Sequence, residues 1–202
     1  MNIDNGLFHL SEVDPKMAKL INKYEKPNFT KETNHFEAII RSIIYQQLST
    51  KAASAIHNRF KQLFENDNLR PVDVFNNSID RYREIGLSKQ KVSYIINVAH
   101  EFNNELIPKN LEDFSDEDII DMLTRIKGIG RWTAQMFLMF SLNRSDILPE
   151  LDLGIQKGFK IYFKLNELPS GDYIIKQAEL WRPYRTLASW YLWRLVEGPF
   201  KW

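Results

Sequence analysis

From Phe36 onward, apolar residues recur at three- and four-residue steps, and no stretch of useful length alternates apolar with polar. A helix returns to the same face every third or fourth residue, whereas a strand does so every second. The spacing therefore restricts the chain to helices packed on helices. Phe36, Ile39, Ile40, Ile43, Ile44 and Leu48 form one stripe, and Ala52, Ile56, Phe60, Leu63 and Phe64 form the next. Ser78 is placed to cap a short helix that Gly86 ends, and Ser88 to open another through Val92, Ile95, Ile96 and Ala99. Ser115-Asp116-Glu117-Asp118 reads as a capping box ahead of Ile119, Ile120, Leu123 and Ile126. Further helices are expected at about 131–142, 153–163, 173–181 and 184–197. Eight Gly and eight Pro in 202 residues oppose a turn-dense β protein, and 44% hydrophobic residues can fill a substantial core. The expectation is an all-α chain, built as one domain or two small lobes.

Charge and cysteine content narrow the function classes. The formal net charge is +1, so no global field marks a polyanion binder, but the balance is uneven along the chain. Arg125, Lys127, Arg131, Arg144, Lys157, Lys160 and Lys164 stand against Asp146, Glu150 and Asp152, seven positive residues to three negative. Such a stretch can attract phosphate locally, or it can be an ordinary solvated face. With no cysteine, disulfides, a thiolate nucleophile, a cysteine zinc site and a cysteine-held iron–sulfur cluster are excluded. MNIDNGLFHLSEVDP lacks the blocks of a signal peptide, and no apolar run approaches membrane-spanning length. The reading is a soluble protein that makes no use of a membrane, cytoplasmic or nucleoid-associated.

Residues 124–154, TRIKGIGRWTAQMFLMFSLNRSDILPELDLG, carry the chemistry. Gly128-Ile129-Gly130 joins two helical patterns, so that a helical hairpin is expected at about 119–142. Glycines let backbone approach a phosphate without intervening side chains. The helix that follows would present the N–H groups of Gly130 to Thr133 and the positive end of its dipole. Nothing in this segment reads base edges, so binding should be independent of sequence; the plain alternative is an αα-hairpin with no ligand. Asp152 stands at the start of the next expected helix, either as a simple N-cap or as a single negative charge beside a reacting sugar.

IKGIGRWTAQMFLM followed by LPELDLGIQKGF resembles the helix-hairpin-helix DNA glycosylase superfamily, in its alkylpurine (3-methyladenine) branch. FEAIIRSIIYQQLSTKAA at 36–53, GLSKQKVSYI at 86–95 and WRPYRTLASWYLWR at 181–194 resemble that branch's upstream, middle and closing segments. The similarity runs from about Asp14 to Glu197. It implies two helical lobes flanking a DNA-binding cleft, with a damaged purine turned out of the duplex into it. Since the upstream segment begins at Phe36, the expectation is a single 1–202 core lacking the additional N-terminal sheet domain of larger relatives.

The resemblance also assigns roles. It makes Asp152 the catalytic carboxylate, stabilising an oxocarbenium-like sugar and orienting or deprotonating the attacking water. Glu150 reads as an exposed loop charge. Relatives that also cut the DNA backbone carry a lysine where this chain has Trp132, so the nucleophile expected here is water and the product an abasic site. Trp132 and Trp193 match positions that line the alkylpurine pocket, with Met136 one turn beyond Trp132 and Leu153 beside Asp152. An indole face attracts a cationic purine, worth about 0.5–2 kcal/mol, although aromatic core packing is the ordinary role of a Trp, and the one expected for Trp181 and Trp190. Lys127, Gly128, Gly130, Arg131 and Thr133 are the expected DNA contacts of the hairpin. Gln47 is the candidate wedge for the gap left by the flipped base, with Gln46 as the alternative. No cofactor is required; a structural sodium or potassium ion at the carbonyls of Thr124, Ile126 and Ile129 is suggested. The implied partner is double-stranded DNA with alkylated bases, bound by a monomer. Two other classes remain: a non-enzymatic helix-hairpin-helix binding module, and a glycosylase/lyase for oxidised bases.

Overall fold

Side-chain caps set most of the helix starts. The computed structural model describes residues 1–30, 32–64, 68–105, 107–108 and 110–197, and among them helices occur without any strand. In chain order these are α1 (Ile3–Val13), α2 (Pro15–Lys23), α3 (His35–Tyr45), α4 (Thr50–Lys61), α5 (Pro71–Val74), α6 (Ile79–Glu84), α7 (Lys89–Asn103), α8 (Asp116–Thr124), α9 (Arg131–Phe140), α10 (Leu153–Phe163), α11 (Gly171–Ala178) and α12 (Arg185–Glu197). Ser78, Ser88 and Ser115 each accept an N–H from the first turn of α6, α7 and α8. The Ser115 box closes differently from the usual pattern, because its hydroxyl also donates to the Asp118 carboxylate at 2.6 Å. No helix among the described residues is long and apolar enough to cross a membrane.

The chain divides into two compact units that are not consecutive in sequence. Residues 31–142 form one, and residues 1–30 together with 143–202 form the other. In the 31–142 unit, α3 is buried along Phe36, Ile39, Ile40, Ile43 and Ile44 and packs on α4, α7 and α9. The hairpin pair α8 and α9 pack on each other, and α9 is buried from Thr133 to Phe140.

The other unit contains α1 and α2, which the periodicity reading had not marked. Asn2 caps α1, and Asp14 caps α2 through Lys16 and Met17 N–H groups, with Pro15 in the first turn where its missing N–H costs nothing. The second Asp14 oxygen accepts from Tyr162 Oη at 2.7 Å and Trp181 Nε1 at 2.9 Å. Burial and that carboxylate push the Tyr162 phenol well above its ordinary range. Trp181 and Trp190 both lie in the core.

Several expected ends shift. α3 stops at Tyr45, before Leu48, and α4 at Lys61, before Leu63 and Phe64. α9 stops at Phe140, where the Leu142 N–H turns back to Phe137. The helix expected at 173–181 is α11 followed by a 3-10 turn, Glu179–Trp181. The last helix begins at Arg185, after a cis Arg182–Pro183 bond.

Within this unit α10 packs on α12 at close range. A Cβ on Gly158 would stand 2.8 Å from the Leu192 carbonyl oxygen, so a side chain there would force the helices apart. The start of α12 is tied to the segment before α10. Thr186 Oγ1 donates to the Arg144 carbonyl and accepts the Ile147 N–H. Arg185, only 12% exposed, grips the Asp146 carboxylate at 2.7 and 3.0 Å.

Candidate active site

Asp152 is the N-cap of α10, and in that respect the plain reading of the residue holds. Its Oδ1 accepts the Ile155 N–H at 2.8 Å, the cap bond itself. The same oxygen accepts from Trp193 Nε1, also at 2.8 Å. Two donors from two helices thus fix one carboxylate oxygen. The half-buried carboxylate sits at the positive end of the α10 dipole.

Gly154 makes this meeting sterically feasible. A Cβ there would lie 2.7 Å from Trp193 Cδ1 and 2.9 Å from Asp152 Oδ1. Sequence reasoning passed over Gly154, although a glycine in the first turn of an apolar helix is a departure from propensity that asks for a reason. Trp193 is 4% exposed, and its polar edge is committed to Asp152. Leu153, by contrast, is 52% exposed at the first position of α10. Glu150, expected as an exposed loop charge, is half-buried.

The hairpin belongs to the 31–142 unit. Gly128 has φ 111°, and a Cβ on it would overlap the Tyr94 ring, so only glycine fits the turn. Gly130 meets no atom within 4 Å of a built Cβ. It is the N-cap of α9, and no side chain caps that helix start. The first-turn N–H groups of α9 thus lie behind an open, side-chain-free surface, the geometry an oxyanion of a phosphate requires.

The remaining hairpin candidates divide. Lys127 is exposed, and its carbonyl accepts from Asn97 Nδ2 at 3.1 Å. Arg131 is exposed, but Glu117 of α8 holds its guanidinium through two bonds of 3.1 and 2.9 Å. That pairing keeps the Glu117 carboxyl below its ordinary pKa. Thr133 is 3% exposed with its hydroxyl accepting from Gln46, so its backbone N–H, not its side chain, is what it could offer a phosphate. Trp132 is half-buried and Met136, on the same face one turn later, is 1% exposed.

The two glutamines after α3 are sharply distinguished. Gln46 Nε2 donates to the Gly128 carbonyl at 3.1 Å and to Thr133 Oγ1 at 2.9 Å. It is therefore occupied in bracing the hairpin. Gln47 is exposed in a left-handed conformation, φ 55°, which lifts it out of the helical path. Lys91 donates to the carbonyls of Ile44 and Gln46, both at 2.7 Å, and its burial lowers its pKa. Lys91, Tyr94 and Asn97 were not singled out by sequence, yet each touches the hairpin or the α3 terminus.

Comparison with known proteins identifies the family. Residues 40–183 match the family model described as HhH-GPD superfamily base excision DNA repair protein. DNA-3-methyladenine glycosylase 1 of Schizosaccharomyces pombe is 38% identical over 192 residues, covering 92% of this chain and 84% of that protein. The alkylbase DNA glycosidase-like protein mag2 of the same organism is 35% identical, covering 93% and 91%. The solved S. pombe 3-methyladenine DNA glycosylase in complex with abasic DNA superposes with a TM-score of 0.88 at 36% identity. That superposition covers 98% of this chain and all of the other.

Proposed function

We propose that this chain, which belongs to the HhH-GPD superfamily of base excision DNA repair proteins, is a monofunctional DNA glycosylase that hydrolyses alkylated purines from duplex DNA. The observation that carries the reading is the Asp152 carboxylate, fixed between the start of α10 and the Trp193 indole N–H inside the segment that resembles the glycosylases. Cleaving an N-glycosidic bond leaves an electron-poor sugar. A carboxylate held in a fixed orientation stabilises that charge as it develops and accepts a proton from the entering water. Purines alkylated at N3 or N7 already carry positive charge and leave without a dedicated acid, so one carboxylate suffices where many sugar hydrolases need two.

Trp132 stands where a lyase would need lysine, which favours water as nucleophile and an abasic site as product. In the 31–142 unit the indole face of Trp132, with Met136 one turn on, suits a cationic base; in the other unit Trp193 and Leu153 adjoin Asp152. DNA is gripped through the open start of α9 at Gly130, supported by Lys127 and Arg131, and Gln47 fills the vacated stack. The chain acts as a monomer.

A hairpin-bound sodium or potassium ion fits the donors available. Residues 124–130 hold no carboxylate, and the Ile126 carbonyl accepts one hydrogen bond from Ile129, leaving its second lone pair. The carbonyls of Thr124, Ile126 and Ile129 would hold it; neutral carbonyl sets suit monovalent cations. Its role would be to stiffen the turn.

The test is base release from a DNA panel containing 3-methyladenine, 7-methylguanine, hypoxanthine and ethenoadenine, together with borohydride trapping on an abasic duplex. Release of methylated purine without covalent trapping is expected. Trapping would indicate a lyase, and DNA binding with no base released would indicate a non-enzymatic module.

A further inference from the structure

Lys91, Tyr94 and Asn97 recur at three-residue steps on α7, and each supports a different part of the proposed DNA-handling surface of the 31–142 unit. Asn97 holds the Lys127 carbonyl at 3.1 Å, and the Tyr94 ring fills the space under Gly128. Lys91 places its ammonium 2.7 Å from both the Ile44 and Gln46 carbonyls, where a helix C-terminus concentrates negative partial charge. Gln46 in turn reaches across to the Gly128 carbonyl and Thr133 Oγ1. Gln47, with φ 55°, is the next residue in that turn.

We propose that Lys91 is a positioning residue for base eversion: it locks the turn that carries Gln47 and, through Gln46, fixes that turn against the hairpin. The inference rests on the glycosylase reading and on Gln47 as the wedge. Its physical content is coupling. A wedge on a loose turn would enter the stack only after ordering itself, whereas one anchored to the phosphate-gripping element is placed as soon as the backbone is held. Lys91 commits two of its three donors to carbonyls within the protein, and in this proposal it acts through Gln47 and the hairpin without itself contacting DNA.

Lys91→Met keeps the aliphatic stem and removes the ammonium. Single-turnover excision of 7-methylguanine is measured from a fully paired duplex and from one in which the lesion faces an abasic site, where extrusion is already easy. About a tenfold loss is expected on the paired duplex and about twofold or less on the loosened one, since unpairing is the step the wedge assists. In a Gln47→Ala background, Lys91→Met should add little further loss. Affinity for undamaged duplex and its salt dependence should not change.

Equal losses on both duplexes, full additivity with Gln47→Ala, or no loss at all would overturn the proposal. So would a weaker undamaged-DNA affinity with a salt slope smaller by about one, the signature of a direct phosphate contact. If Lys91→Met does not fold, Gln46→Leu removes the side-chain bonds that fix the same turn against the hairpin, leaves the Lys91 bonds to backbone carbonyls in place, and must show the same paired-duplex-selective loss in excision. Wild-type protein that releases no alkylated purine from either duplex would contradict the glycosylase reading instead, so the two failures are distinct.

Discussion

The hydrogen bond from Trp193 Nε1 to Asp152 Oδ1 gives Trp193 a duty beyond its aromatic face, because it also holds the carboxylate. Trp193→Phe keeps an aromatic face and deletes one donor to a charged group, a loss of about 1.5–3 kcal/mol where that charge matters. Excision should fall about tenfold or more, and equally on cationic 7-methylguanine and neutral hypoxanthine. Trp132→Leu should instead penalise the cationic lesion more, because it removes a cation–π face. Single-turnover rates on both lesions, with circular dichroism to verify folding, separate the two; a charge-selective loss for Trp193→Phe would deny the positioning role. Asp152 itself was legible in sequence from LDLG and the resemblance around it. The indole–carboxylate bond was not, because residues 41 positions apart meet only through the close packing of α10 on α12. Gly154 and Gly158, which permit that packing, read as ordinary helix-weakening residues until a partner helix is present.

At the level of elements, the hairpin glycines have separate jobs that the motif alone presents as one. Gly128 packs against Tyr94 with positive φ, so Gly128→Val should destabilise the turn and lower the melting temperature by several degrees. Gly130 borders open space, so Gly130→Val should fold normally and weaken binding to damaged and undamaged duplex alike. Melting curves and salt-dependent binding isotherms check both. A folded Gly130→Val protein with unchanged affinity would place the phosphate grip elsewhere. The sequence pattern located α8 and α9 and the turn between them because Ser115, the Gly-Ile-Gly step and the apolar spacing all act locally. It could not reveal that Glu117 occupies Arg131, nor that Gln46 is spent on the hairpin, since both bonds depend on how helices are laid together. For the same reason the α7 face was invisible: Lys91, Tyr94 and Asn97 look like ordinary polar positions on an amphipathic helix.

At the scale of the whole molecule, an all-α chain was readable from Phe36 onward because long apolar stripes specify both helix and buried face. The first thirty residues were not, because α1 and α2 take their order from caps and from the Asp14 contacts with Tyr162 and Trp181. The seven-to-three charge bias of residues 125–164 falls on both units, so it is not one surface by virtue of sequence alone. Global stability should also depend on acid in a definite way. Burial, with Arg41 and Lys61 nearby, lowers the His57 pKa from 6.5 to about 4. The unfolded chain therefore takes up a proton that the fold resists, and stability should fall as pH drops from 6.5 toward 4, by roughly 3 kcal/mol from this residue. Denaturant titrations of wild type and His57→Gln across that window should differ in slope; parallel curves would contradict it. The central claim is that Asp152 performs hydrolysis, and Asp152→Asn tests it most directly, because asparagine is an equally good N-cap and keeps an acceptor for Ile155 and Trp193 while losing the charge. With alkylated duplex in single-turnover conditions, the variant should bind DNA and melt as wild type does yet release base at least about a hundredfold more slowly. Excision within a few-fold of wild type by a folded Asp152→Asn protein would reduce Asp152 to a helix cap and contradict the account.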